Sequence, residues 1–208
     1  MMVFVVGNGE SREALNVSAL RKIAPVIGCN GLYRDYELDL LVSVDATFIK
    51  EVDGAKYTRA FARNSNTTKV FDMIGPPAPF MLPKKTIPAR GWDSGSSAAW
   101  IACYSVPNLT RLILFGFDFG DKTSRNFNNI YKGTANYRKP ITYEDKASFE
   151  NALRTKRRWA SHFEQLFVEY KRVQFVFVGK YSAADMFEKK FDNVSTMRYP
   201  EFYERELR

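Results

Sequence analysis

This sequence predicts a single α/β domain whose mainly parallel β-sheet carries helices on both faces. Three observations predict it. Short, almost wholly apolar runs recur along the 208 residues, helix-patterned segments separate them, and glycine or polar residues stand where each run stops. A strand with one wet face alternates in polarity, whereas a continuously apolar strand is buried on both faces, as strands of parallel sheets are. Apolar residues make up 45% of the chain, which suits a folded domain of this length and argues against disorder.

The elements follow in order. Residues 2–6 read as a short buried strand ending at Gly7-Asn8-Gly9, and "ALNVSALRKI" (14–23) as a short helix. "APVIGCN" (24–30) is a second strand ending at Asn30, and "LDLLVSVD" (38–45) a third ending at Asp45, with "ATFIKEV" turning into a helix behind it. "KVFDMI" (69–74) is expected as a fourth strand. The proline-rich stretch after it, near 75–92, can only be a loop or lid. "SGSSAAWIACYSV" (94–106) is a helix of small residues with an apolar body, capped by Asp93 or Ser94.

The second half repeats the pattern. "RLILFGFDFGD" (111–121) is a strand, and the polar, aromatic-dotted loop 122–140 leads into a long helix at 143–171, which Thr142 and Asp145 could cap. Phe149, Leu153, Ala160, Phe163, Phe167 and Tyr170 form one apolar stripe on that helix. "VQFVFVG" (173–179) is a last strand, followed by a helix near 183–191 and an irregular end. No repeat and no domain boundary interrupts this order, so the whole of 1–208 reads as one Rossmann-like domain with lid-like loops near 75–92 and 122–140.

Composition narrows the partners. Lys and Arg outnumber Asp and Glu by 31 to 23, a net charge of +8, which favours polyanions such as nucleotides, nucleic acid or anionic glycans. The densest basic run, "RTKRRW" (154–159), falls within the long helix and reads first as a solvated face. No apolar run is long enough to span a membrane and no leader pattern opens the chain, so a cytoplasmic location is expected. Cys29 and Cys103 lie in apolar segments and read as core thiols, not as a disulfide or metal site. His162 is the only histidine, set beside Phe163 in the long helix. It reads as a structural residue, which leaves no histidine-rich metal site and no obvious general base.

Ligands of parallel sheets bind outside the carboxyl ends of the strands. The candidate binding residues are therefore Gly7, Asn8, Gly9 and Ser11 after the first strand, Asn30 after the second, Asp45 after the third and Asp118 after the fifth. To these are added Ser94, Gly95 and Ser96 at the start of the small-residue helix, and Arg138 in the second loop. Glycines admit close approach, helix-start amides attract phosphate, and Asn and Asp suit sugar hydroxyls or base edges.

The segments "VVGNGES", "GCN", "LLVSVD" and "SGSSAAWIACYSVPNLTRLILFGFDF" resemble, in the same order, signature segments of the bacterial CMP-sialic-acid-dependent sialyltransferases of glycosyltransferase family 42. They are also similar to the related archaeal hydroxymethylpterin diphosphokinase and motility-accessory family. The likeness covers roughly residues 3–45 and 90–121, about a third of the chain. It implies a metal-independent glycosyltransferase that needs no cofactor and takes a nucleotide-sugar donor, CMP-linked in the family. The acceptor would be a glycan, a lipid-linked sugar or DNA. Asn8, Gly9 and Asn30 would contact the nucleotide sugar, Ser94 and Gly95 its phosphate and sugar, and Asp118 the nucleotide.

Departures from the family pattern matter too. Arg90 stands one residue away from the family's arginine. Gly120 replaces its tyrosine, making Tyr131 the candidate phosphate-binding hydroxyl, and the loop before the long helix has no histidine. Catalysis would then fall to Arg90, Tyr131 or Arg138 at the departing phosphate, with Asp121 or Asp118 as base. Two other readings stay open. One is an Mg²⁺-dependent diphosphokinase with Asp45, Asp118 and Asp121 as ligands; the other is a DNA-directed modification or binding protein.

Overall fold

The computed structural model describes residues 1–57, 60–62, 80, 92–119, 129–137, 146–179 and 185–206. Residues 60–62, 146–149, 151, 152 and 186 are described by their backbone alone. Seven strands form one sheet: β1 (Met2–Val6), β2 (Val26–Cys29), β3 (Leu40–Ser43), β4 (Ala60–Ala62), β5 (Arg111–Phe115), β6 (Gln174–Val178) and β7 (Val194–Met197). Their order is β4-β3-β2-β1-β5-β6-β7, and every pairing is parallel. The order reverses direction between β1 and β5, which is the switch point of a Rossmann-like sheet.

The helices are α1 (Val17–Leu20), α2 (Ala46–Gly54), α3 (Ser94–Ser105), α4 (Lys146–Glu169), α5 (Asp185–Glu188) and α6 (Tyr199–Glu206). Continuously apolar strands serve two cores, as the sequence implies. Val3 and Val5 of β1 join α3 and α4 on one face, while Phe4 and Val6 join α1 and α6 on the other. Leu112 and Leu114 against Ile113 and Phe115 repeat that split in β5. Helix α3 is buried almost all round from Ala98 to Cys103, which explains its lack of a polar stripe. On α4, Phe163, Leu166 and Phe167 face the core, whereas Arg154, Arg157 and Arg158 are exposed, so most of the basic run is a solvated face.

Two expectations change and one strand is added. The short helix expected over 14–23 is confined to α1, because the Asn16 side chain caps it at Ala19, and a separate 3-10 turn precedes it at Glu10–Arg12. The edge strand next to β3 is Ala60–Ala62, too short and alanine-rich to stand out in sequence; the strand expected at 69–74 lies outside the described residues. The irregular end is instead β7 and α6. Phe202 of α6 is fully buried, with its ring 4.9 Å from Phe115 and 6.0 Å from Phe4. Most of the loop 75–92, together with Thr142 and Asp145, also lies outside the described residues. Among the described residues, no helix is long and apolar enough to cross a membrane.

Candidate functional site

The carboxyl edge of the sheet carries two polar clusters. The first lies where β1 and β5 end. The Gly7 amide donates to the Phe115 carbonyl at 2.7 Å and the Gly9 amide to Gly116 at 2.9 Å, so the two chains stay paired beyond their strands. Gly116 sits at φ +67°, and a Cβ there would lie 2.8 Å from the Gly7 carbonyl oxygen. A Cβ at Gly9 would lie 2.6 Å from the Asp118 carboxyl carbon. The glycines therefore serve the closure of one strand end upon the other. Asp118 in turn accepts the Ser11 amide at 2.8 Å. Burial pushes the Asp118 carboxyl above its usual range, with the hydrogen bonds from Ser11 working against it.

Arg12 lies under this turn, only 2% exposed. Its Nε donates to the Gly7 carbonyl at 2.7 Å and its Nη2 to Asn8 Oδ1 at 3.4 Å and the Tyr131 hydroxyl at 3.3 Å. The Asn8 amide spans to the Cys29 carbonyl at 3.0 Å and the Tyr137 hydroxyl at 2.8 Å. Tyr137 also accepts the Gly31 amide at 3.0 Å, and its ring stacks on Tyr131 with centroids 5.4 Å apart. Arg34 fastens the same segment from outside. It grips Glu51 through two 2.7 Å hydrogen bonds and reaches Thr134 Oγ1 and the Ala135 carbonyl. That guanidinium, helped by Tyr33 and Asn136, holds the Glu51 carboxyl below its usual range.

The second cluster lies where β2 and β3 end and α3 begins. Asn30, at φ +48°, accepts the Ser43 hydroxyl at 2.9 Å and donates to Asp45 Oδ2 at 3.2 Å. Asp45 stands at the N-cap of α2, yet its side chain makes no cap bond and turns to Asn30. Although it reaches solvent, crowding by the surrounding chain raises its pKa; the Asn30 hydrogen bond opposes this, the Asp93 charge adds to it, and the Arg158 charge opposes it. Ser94 is buried and accepts the Val44 amide at 3.0 Å, which pins the start of α3 to the end of β3.

Asp93 caps α3. Its Oδ1 accepts the Ser96 amide at 2.9 Å, and its Oδ2 accepts the Ser96 hydroxyl at 2.7 Å. The same Oδ2 lies 3.1 Å from Nδ1 of His162, whose ring stacks at 13° on Trp92 with centroids 5.0 Å apart. The Ser94 and Gly95 amides meet no acceptor among the described residues, as expected for the first turn of a helix. Cys29, buried between the clusters, has its thiol pushed up to about 12 by burial, so it is no nucleophile.

The structure thus places Gly7, Asn8, Gly9, Ser11 and Asp118 in the first cluster, and Asn30, Asp45, Ser94, Gly95 and Ser96 in the second. Arg90, Asp121 and Arg138 lie outside the described residues. Tyr131 packs against the first cluster. It is only 6% exposed, its hydroxyl donates to Asp35 and accepts from Arg12, and burial raises its pKa, so that hydroxyl is committed to the fold. The phosphate cradle expected at Gly7 and Gly9 is likewise filled from within the chain, since the Gly7, Gly9 and Ser11 amides all have protein acceptors.

Sequence reasoning missed Arg12, Tyr137 and the Asp93–His162 pair. The His162 signal was its position next to Phe163 in the long helix, which pointed to a structural histidine but not to its partner. Among the described residues, no group of three or more His, Cys, Asp or Glu side chains is placed to hold a metal ion. Compared with protein-family models, curated proteins and solved structures, the chain matches none.

Proposed function

We propose that the protein is a metal-independent glycosyltransferase that binds a nucleotide-sugar donor at the second cluster. The observation that carries this reading is the start of α3. Its Ser94 and Gly95 amides meet no acceptor among the described residues, and they stand on the carboxyl edge of a parallel sheet near the Asn30–Asp45 pair. Unengaged amides at a helix start, aided by the positive end of the helix dipole, suit a phosphate group. Asn30 and Asp45 suit the hydroxyls of a ribose or sugar. As the bond from sugar to phosphate breaks, charge grows on the phosphate oxygens, where fixed amides stabilise it most.

Thermal unfolding with CMP, UDP, GDP and ATP·Mg²⁺ tests the reading. A ligand present at 100 times its dissociation constant adds about 2.7 kcal/mol of stability, or roughly 5–11 °C for a domain of this size. A response to CMP, UDP or GDP is expected, followed by hydrolysis of the matching nucleotide sugar in EDTA. A response to ATP·Mg²⁺ alone, with turnover abolished by EDTA, would replace this reading with a diphosphokinase. Retention on DNA that falls steeply with salt would identify DNA as the acceptor. No nucleotide response and no turnover of any CMP-, UDP- or GDP-sugar overturns the proposal.

A further inference from the structure

We infer that His162, held by Asp93, is the catalytic base of the second cluster and takes its proton from the hydroxyl of the acceptor. The inference rests on the transferase reading above for its substrate class, and on geometry for its residue. His162 has one hydrogen-bonding partner among the described residues, the Asp93 carboxylate on Nδ1, and Nε2 has none. A carboxylate can only accept, so it selects the tautomer that carries the proton on Nδ1 and leaves the lone pair on Nε2.

The pair is built to hold that state. The Ser96 amide and hydroxyl fix both oxygens of Asp93, and Trp92 covers the imidazole face at 5.0 Å, so neither carboxylate nor ring is free to turn. The His162 side chain is 7% exposed, and the aspartate caps the helix start that carries the Ser94 and Gly95 amides. Two other charges near the pair belong to the described residues. Asp45 lies close enough to feel the charge of Asp93, and Arg158 lies one turn before His162 on α4. A structural histidine needs only a hydrogen bond; this one also has an oriented carboxylate at the start of α3, a stacked ring and a nitrogen with no partner among the described residues.

The step balances within the transfer. The acceptor oxygen attacks the anomeric carbon of the donor and its proton passes to Nε2 of His162. The bond from that carbon to the phosphate oxygen breaks, and the nucleotide phosphate leaves with the electron pair. Asp93 touches no substrate; it is a positioning residue that stabilises the imidazolium formed.

The chain's single histidine makes the test unambiguous. Imidazole nitrogen NMR of the free protein is expected to find the proton on Nδ1, and Asp93→Asn should shift it to Nε2 while its amide oxygen keeps the cap on Ser96. Diethyl pyrocarbonate should acylate one imidazole per folded chain. With a nucleotide sugar that the wild type turns over, His162→Gln should lower kcat by about 10²–10⁴-fold with little change in KM. Asp93→Asn should lower it comparably through the wrong tautomer.

A wild-type proton on Nε2, a ring that resists acylation until the protein unfolds, or a His162→Gln enzyme within about threefold of wild-type kcat overturns the inference. If the wild type turns over no donor while its ring is reactive and carries the proton on Nδ1, the transferase reading fails and the poised base stands.

Discussion

Two clusters share one edge of this sheet, and they spend their polar groups differently. At β1 and β5, Gly7, Gly9, Ser11, Arg12 and Asn8 all bond within the protein, and Tyr131 and Tyr137 are stacked over them. At β2, β3 and α3, Asp45 turns away from the cap it could make, and among the described residues two amides and one nitrogen of His162 have no partner. Polar groups that are satisfied inside a protein stabilise it; those left over are available to something else. The glycine-asparagine turn is thus a fold device, and the polar groups left over lie where β2 and β3 end and α3 begins.

Breaking the first cluster should cost stability, in decreasing order. Arg12→Leu removes three hydrogen bonds from a buried guanidinium and strands the Gly7 carbonyl. Urea unfolding should register a loss of about 3 kcal/mol, roughly 6–12 °C in Tm. Gly116→Ala forces a side chain into the left-handed region against the Gly7 carbonyl, and about 2 kcal/mol should be lost in the same assay. Gly54→Ala meets open space and should be neutral or gain up to about 1 kcal/mol, which makes it the control.

Glu51→Gln should loosen Arg34 and its grip on the 129–137 segment by about 1–2 kcal/mol at pH 7. Because the folded protein lowers the pKa of Glu51 below 4.5, the ionised carboxylate stabilises the fold above that pH. That contribution is lost as pH falls through the lowered value. The gap between wild type and variant should therefore close in acid, as followed by unfolding at a series of pH values.

The second cluster should behave the other way. Asp45 has a raised pKa, so its ionised form weighs against the folded state at neutral pH and ceases to do so as pH falls toward 3.8. Asp45→Asn should leave stability within about 0.5 kcal/mol of wild type, on the stabilising side at pH 7, because the carboxylate is partly solvated. The thermal response to nucleotide should nevertheless fall. A large stability loss together with an intact nucleotide response would reverse the assignment of the two clusters.

Much of the fold was legible in sequence because buried parallel strands announce themselves locally. "VFVV", "RLILF" and "QFVFV" are apolar without a break, and Asp93 before a run of small residues is a cap signal that the structure bears out. Ala60–Ala62 escaped because three residues of a short edge strand carry no period to read. The end of the chain escaped because Val194–Met197 buries only its two ends, although Pro200 in the first turn of α6 was a helix-start signal. Candidate residues were found by their position after strands, and that rule could not separate amides already taken from amides left free.

The sequence by itself determined most of the strands and the longer helices, and that polar residues follow the strand ends, because propensity and burial pattern act over a few neighbours. The tertiary structure alone decided which of those residues meet. Asp93 and His162 are 69 positions apart, and Asn8 and Tyr137 are 129 apart. Partners at such separations are chosen by strand order and by the packing of α4 and the 129–137 segment on the sheet, and no local pattern encodes that choice.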